Sequence, residues 1–406
     1  MQISRAFHAA LITLLAFTAP ATAAPLDDFH KIFDQTMTRH GIVGGGFGFE
    51  HGLDRPSEFY FGEARADTHR KAGAETAYSF SSLTKTMTAI AILQLRDRGK
   101  LSLDDPAVKY IPEFRQVHDA FGPIDAITIR QLLSHSAGFR NPSWPWGCDS
   151  APNCGWAPFE PTHWSQIDAM LPFTNIAFAP GSRWGYSNLG YIFLGEIIAR
   201  LSGDDYETYI AKNILMPLGM TQSYFDVAPY YLEPYLSASY VRAGPSLTPQ
   251  LFNFDSGITV ANSGLKGPMS DLRKYLRFLI GDPKNAVYDI VLKRGSLQEA
   301  WTGLLPTTAT TGPGGEVPTM GLSFFLLKVD GHNYVYYNGD EGGFSTTMIV
   351  DPDRHGASIM VVNTTDIGAP DTDPSRPPSN TEPDAKTDLR TQLRDALIRN
   401  VYPTLK

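Results

Sequence analysis

The stretch FSSLTKTMTAIAIL, Phe80 to Leu93, sets a serine and a lysine three residues apart at the start of an otherwise greasy run. After Ser82 and Lys85, every residue through Leu93 is small, apolar or hydroxyl-bearing. The i, i+3 spacing predicts one shared helix face, with the two side chains in hydrogen-bond reach. A lysine is rarely buried without a partner or a task. A serine hydroxyl is a weak nucleophile until a neighbouring base takes its proton. A lysine can be that base only if apolar burial or nearby positive charge drives its pKa far below about 10.4, and the apolar run supplies the setting. A place near a helix start also leaves the Ser82 backbone N–H for an oxyanion. On the motif alone, a helix cap beside a snorkelling lysine is the better reading. A second match, Ser263-Gly264-Leu265-Lys266, contains glycine and is followed by Gly267-Pro268, which forbids helical geometry.

A second element shifts the balance. PGSRWGYSNLGYIFLGEIIARLSG places Tyr186-Ser187-Asn188 on a short turn before a long apolar helix. A tyrosine beside a lysine can exchange a proton with nucleophile or leaving group, and an asparagine amide can hold a substrate carbonyl and orient the lysine. Tyr-x-Asn by itself is cheap, since Tyr336-Tyr337-Asn338 repeats it within an expected strand.

The chain opens as an export signal: Arg5 is the positive n-region, Ala9 to Phe17 a short apolar h-region, and Ala21-Thr22-Ala23 a small-residue cleavage site. Cleavage after Ala23 removes one cation, Arg5, and no acid, so the formal charge moves from −8 to −9. The expected protein is soluble, periplasmic or secreted, with no membrane span. Its mildly acidic, well-mixed charge carries no footprint for nucleic acid. The two cysteines, Cys148 and Cys154, are close neighbours in WGCDSAPNCGW. In an exported protein this predicts a local disulfide, and without nearby histidines it is a poor zinc site, so no metal is expected.

Leu26, Phe29, Ile32, Phe33 and Met37 predict an amphipathic helix stopped by Gly41. GIVGGGFGFEHG and EFYFGEA read as a hairpin. No Gly-Lys-Ser/Thr follows the triple glycine, so a close-packed strand is preferred to a phosphate loop. Residues 81–256 read as mainly α: the Ser82 helix running to Gly99, ITIRQLLSHSAGF as a helix ending near Gly138, and two more helices with glycine terminators. From 257 a turn and an amphipathic helix precede four strands in an antiparallel meander. Residues 366–386, rich in Pro, Asp and Ser, are expected to be a flexible insertion. A final helix carrying Leu389, Leu393, Ala396, Leu397 and Val401 should dock on the sheet. The expected fold is α/β: an antiparallel sheet from residues 24–80 and 257–406 flanked by helices, the α-helical part 81–256, and a site at their junction.

Taken in order, these segments resemble the serine β-lactamase and penicillin-binding-protein family, closest to class C β-lactamases, D-Ala-D-Ala carboxypeptidases and the carboxylesterases of that fold. YSFSSLTKTMTAIAILQL resembles the nucleophile helix. ITIRQLLSHSAGF resembles the following Leu-Leu-x-His-x-Ser-Gly segment, PGSRWGYSNLGY the Tyr-x-Asn loop, and NGDEGGFSTTMIVDPDRHGASIMVVNT the closing strands. The resemblance implies an acyl-enzyme on Ser82, with Lys85 as base and Tyr186 as proton relay. Asn188 would orient Lys85 and substrate. It implies no cofactor, and a small ester, amide or lactam as substrate. The oligomeric state stays open. His135 is expected to bond backbone near a helix end.

The chain departs from the family at the third element, where Lys-Thr-Gly or His-x-Gly is usual. Counting back from Gly343-Phe344 aligns Tyr337-Asn338-Gly339, so a tyrosine replaces the cation that helps hold a substrate carboxylate. This favours a neutral ester or amide over a β-lactam or D-Ala-D-Ala peptide. By resemblance, the Asp340 N–H is the second oxyanion donor, and its acidic side chain either faces solvent or repels anions. A non-catalytic ligand- or wall-binding member of the fold is the alternative of another class. Trp144, Trp146, Trp156 and Trp164 surround the cysteine loop; loop packing and an aromatic lid are equal readings.

Overall fold

The computed structural model describes residues 23–52, 57–139, 161–243, 245–250, 253, 255–282, 285–309, 311–366 and 387–405. The signal, the cysteine pair with Trp144, Trp146 and Trp156, and nearly all of the 366–386 insertion therefore lie outside the described residues.

The strands are β1 (Gly44–His51), β2 (Ser57–Arg65), β3 (Arg70–Lys71), β4 (Ala77–Ser79), β5 (Ser239–Ala243), β6 (Ser246–Gln250) and β7 (Lys266–Pro268). There follow β8 (Leu305–Pro306), β9 (Thr319–Met320), β10 (Phe325–Val329), β11 (His332–Glu341), β12 (Phe344–Asp351), β13 (Gly356–Val362) and β14 (Thr364–Asp366). The main sheet runs β3-β2-β1-β13-β12-β11-β10-β9-β8. All its pairings are antiparallel. The expected meander is β10 to β13, and the N-terminal hairpin joins it through β1 against β13, Phe47 opposite Met360.

The glycines of β1 are there because both faces of that strand are crowded. A Cβ at Gly45 would collide with Val361 O and come 2.9 Å from Met37 Cε; one at Gly46 would lie 2.7 Å from Met269 Cε. On one face the Ala23–Arg39 helix packs an aromatic cluster, with Phe29 and Phe59 at 4.8 and 4.7 Å from the Phe47 ring. The C-terminal helix, Thr387–Ala396, and its continuation share that face, Tyr402 bonding Ser358 Oγ at 2.8 Å. On the other face Glu50, fully buried, accepts from Arg273 Nε at 2.6 Å and Arg277 Nε at 2.7 Å of the Met269–Ile280 helix. Two arginines on one carboxylate satisfy a charge that would otherwise be costly to bury.

The greasy helix, Thr84–Asp97, is buried from Thr84 through Leu95. Its hydroxyls are all used: Thr84 Oγ1 donates to Ser81 O, Thr86 Oγ1 to Leu83 O, and Thr88 Oγ1 to Ala261 O. Buried hydroxyls without such partners would be destabilising.

Two expectations need correction. The ITIRQLLSHSAGF helix stops at Leu133 rather than near Gly138. Ser134 Oγ bonds Arg130 O, and His135 turns to φ +55°, so local serine bonds end the helix early. The segment 81–256 is also less uniformly helical than its pattern predicts. Besides the Thr84–Asp97 and Asn188–Ser202 helices it holds short helical turns and the strands β5 and β6. These join β14 in a separate sheet, β5 and β14 parallel. Among the described residues no helix is long and apolar enough to cross a membrane.

Candidate active site

Ser82 lies in a tight turn, Ser81–Leu83, that leads into the Thr84–Asp97 helix. Ser81, just before it, is fully buried with φ +50°, a left-handed conformation that costs a non-glycine residue about 1–3 kcal/mol. The surroundings hold it there. Ser79 Oγ accepts the Ser81 N–H at 3.2 Å, Phe80 N–H reaches Leu265 O at 3.0 Å, and Leu265 N–H reaches Thr84 Oγ1 at 3.1 Å. The strained turn carries Ser82 to the rim while its neighbours stay buried.

Lys85 Nζ donates to Ser82 Oγ at 3.0 Å and to the Asn262 backbone carbonyl at 2.7 Å. The side chain has no solvent exposure. Burial drives its pKa well below the ordinary lysine value, and the Glu341 carboxylate opposes that only in part. The amine also sits 4.9 Å from the Tyr186 ring centroid and 5.6 Å from that of Tyr191. A neutral lysine beside a serine hydroxyl can accept its proton, which is the arrangement a serine nucleophile requires.

Tyr186 is half-buried, and Asn188 begins the Asn188–Ser202 helix, with Ser187 as its cap accepting the Gly190 N–H at 3.1 Å. His135 fixes this corner. Its Nδ1 accepts the Ser187 N–H at 3.1 Å, and its ring lies 4.5 Å from Tyr186 and 4.9 Å from Tyr191. Burial holds the imidazole pKa well below its usual value, so it stays neutral. As expected it bonds backbone; it also backs the Tyr186 ring.

Gly339 of β11 closes the other side. A Cβ there would collide with Phe80 O and come 3.1 Å from Ser82 N, so only glycine lets the strand abut the Ser82 turn. Side-chain alternation along β11 puts Tyr337, Gly339 and Glu341 on that face and Asp340 on the opposite one. Tyr337 has no solvent exposure and packs 5.5 Å from Phe325. Asp340 neither faces solvent nor points at the cleft: Arg390 Nη1 donates to its Oδ2 at 2.7 Å. Both expectations for that side chain are thereby corrected, since the arginine comes from the C-terminal helix and could not be paired with it from local sequence.

Three contributors were not anticipated from sequence. Asn262 contributes through its carbonyl, Ser81 through its backbone strain, and Glu341 by accepting a hydrogen bond from Ser263 Oγ at 3.2 Å close to Lys85. The Ser263/Lys266 pair is not helical: Ser263 ends a short helix and Lys266 opens β7, its Nζ on Asp226 O at 2.9 Å. Among the described residues no group of three or more His, Cys, Asp or Glu is placed to hold a metal ion.

This geometry has relatives. Protein flp of Staphylococcus aureus (strain COL) is 25% identical over 305 residues, 75% of this chain and 56% of that protein. Esterase EstB of Burkholderia gladioli is 30% identical over 220 residues, 51% of this chain and 53% of that protein. The chain thus spans about half the length of these curated relatives. Among solved structures, an octameric penicillin-binding protein homologue from Pyrococcus abyssi superposes with TM-score 0.71 at 24% identity, over 84% of this chain and 74% of that one. A class C β-lactamase gives TM-score 0.70 at 20% identity, over 93% and 97%. At these identities the structural likeness shows the fold, the α/β arrangement expected from sequence. Residues 29–376 match the Beta-lactamase family, and the chain belongs to it.

Proposed function

We propose that the chain is a serine hydrolase working through an acyl-enzyme on Ser82, with a neutral carboxylic ester or amide as substrate. The observation that carries this reading is the fully buried Lys85 amine 3.0 Å from Ser82 Oγ. Neutral Lys85 takes the hydroxyl proton as Oγ attacks the carbonyl carbon. The Ser82 and Asp340 backbone N–H groups hold the resulting oxyanion. Collapse expels the alkoxide or amine, which receives a proton relayed through Tyr186. Water, deprotonated at the same base, then attacks the acyl carbon, and Ser82 leaves with a proton. Asn188 orients substrate and Lys85, and the Asn262 carbonyl fixes the direction of the amine.

Two features support a neutral substrate. The position of the family's carboxylate-binding cation is a buried tyrosine, Tyr337, and the Glu341 carboxylate adds negative charge near Lys85. The likeness to an esterase supports ester chemistry. A second reading, β-lactamase or D-alanine carboxypeptidase, is supported by the names of solved neighbours. A non-catalytic binding role requires an unreactive Ser82. We expect kcat/KM for p-nitrophenyl butyrate to exceed that for benzylpenicillin by about 100-fold or more, since like charges juxtaposed in a site cost several kcal/mol. The reverse order would transfer the assignment to lactams.

The same proposal includes export, with cleavage of residues 1–23 and a Cys148–Cys154 disulfide. N-terminal sequencing of the protein recovered outside the cytoplasm should begin at Ala24. A chain retained whole inside the cell would refute it.

A further inference from the structure

We propose that Arg390, on the C-terminal helix, is a positioning residue that aims the oxyanion strand at Ser82. The inference rests on the acyl-enzyme reading above and adds to it a part for the far face of the sheet.

Beyond Tyr336 the end of β11 keeps one of its two strand neighbours. Pairing with β10 stops at Tyr336 opposite Phe325, so residues 337–341 continue along β12 alone. Gly339 has no side chain to fix it, and the strand ends at Gly342 and Gly343, both in left-handed backbone with φ +51° and +94°. Glycine concentrates conformational freedom where the backbone direction matters most. Between these glycines, Glu341 accepts from Ser263 Oγ at 3.2 Å on the cleft side, and Asp340 reaches the C-terminal helix on the opposite face.

Its carboxylate turns away from the cleft to Arg390 Nη1 at 2.7 Å. The two side chains are 14% and 4% exposed. With so little water the bond is strong and directional. The helix bearing Arg390 is clamped in turn: Arg394 Nη2 reaches Thr311 O at 2.6 Å, Leu393 is fully buried, and Tyr402 OH reaches Ile349 O at 3.1 Å on β12. The Asp340 N–H therefore takes its direction from a strand tied on one side to the Ser82 turn through Gly339 and on the other to the C-terminal helix through Arg390. A displacement of order 1 Å at such a site can cost about 100-fold in rate.

The test measures kcat, KM and Tm with p-nitrophenyl butyrate for Arg390→Met, Arg390→Lys, Asp340→Asn and the double variant Arg390→Met/Asp340→Asn. We expect kcat to fall about 10-fold to 100-fold with KM within about twofold, because the loss is in transition-state positioning. Arg390→Met takes the cation from the Asp340 carboxylate and lowers Tm. The double variant removes the Asp340 charge as well, so its Tm should rise above that of Arg390→Met while kcat stays low, and Arg390→Lys should restore part of kcat. If Arg390→Met fails to fold, the double variant carries the test. A folded double variant with the kcat of the unaltered chain would overturn the proposal. An unreactive Ser82 in the unaltered chain would overturn the acyl-enzyme reading as well; a reactive Ser82 with unchanged variants would overturn the positioning role alone.

Discussion

Ser82→Ala is expected to lower kcat for p-nitrophenyl butyrate by about 10⁴-fold or more, in line with removal of a nucleophile that acts as part of a unit. The fold should be indifferent. Ser82 stands at the rim, and the bonds that hold its turn belong to Ser79, Ser81, Thr84 and Leu265. Without the hydroxyl, Lys85 keeps its bond to the Asn262 carbonyl. Catalytic sites often carry strain that a silent residue relieves, so Tm should be equal or slightly higher. A variant that melts like the parent and still turns over substrate would remove Ser82 from the mechanism.

Lys85→Met is expected to abolish turnover to a similar degree and, unlike most substitutions at a fully buried position, to stabilise the protein at neutral pH. The amine has its pKa lowered well below the ordinary value by burial, so the unfolded chain binds its proton more tightly than the folded chain does. Between the folded pKa and about 10.4, the unfolded state binds the extra proton, and stability rises with pH by up to about 1.4 kcal/mol per unit. Methionine fills nearly the same volume without that penalty and without that slope. Urea unfolding at several pH values should show the unaltered chain gaining on the variant as pH rises. Activity carries the same sign: kcat/KM of the unaltered chain should fall as pH drops through the folded pKa of Lys85, because the protonated amine cannot accept the Ser82 proton. Parallel stability profiles for the two proteins would mean that Lys85 is charged in the folded state and is not the base.

The sequence was most legible where function depends on neighbours along one element. Ser82 and Lys85 are one helical turn apart, and the period of the helix alone predicts their contact. Tyr186, Ser187 and Asn188 sit at a helix cap, a feature with a local signature. Gly339 was legible as a glycine, but its reason, the approach of β11 to Ser82 N, exists only once strand and helix meet. What escaped is long-range and often backbone. The Asn262 carbonyl lies 177 residues from Lys85, and a carbonyl has no residue type to read. Arg390 is 50 residues from Asp340 and follows a segment of low apolar content. Ser81 gave no warning of its left-handed backbone, since that strain is imposed by Phe80, Leu265 and Thr84 rather than by its own preference. The short Ile129–Leu133 helix shows the reverse failure: an apolar pattern that continues past the point where Ser134 and His135 end the helix.

The central claim, a covalent acyl intermediate on Ser82, is tested most directly by mass. The purified protein is mixed with excess p-nitrophenyl butyrate, quenched in acid during the first turnovers, and weighed intact, with Ser82→Ala as control. The predicted result is a butyryl adduct in the unaltered chain, mapped by digestion to the peptide containing Ser82 and absent from the variant. Hydrolysis with no adduct at Ser82, or the same adduct in Ser82→Ala, would contradict the account.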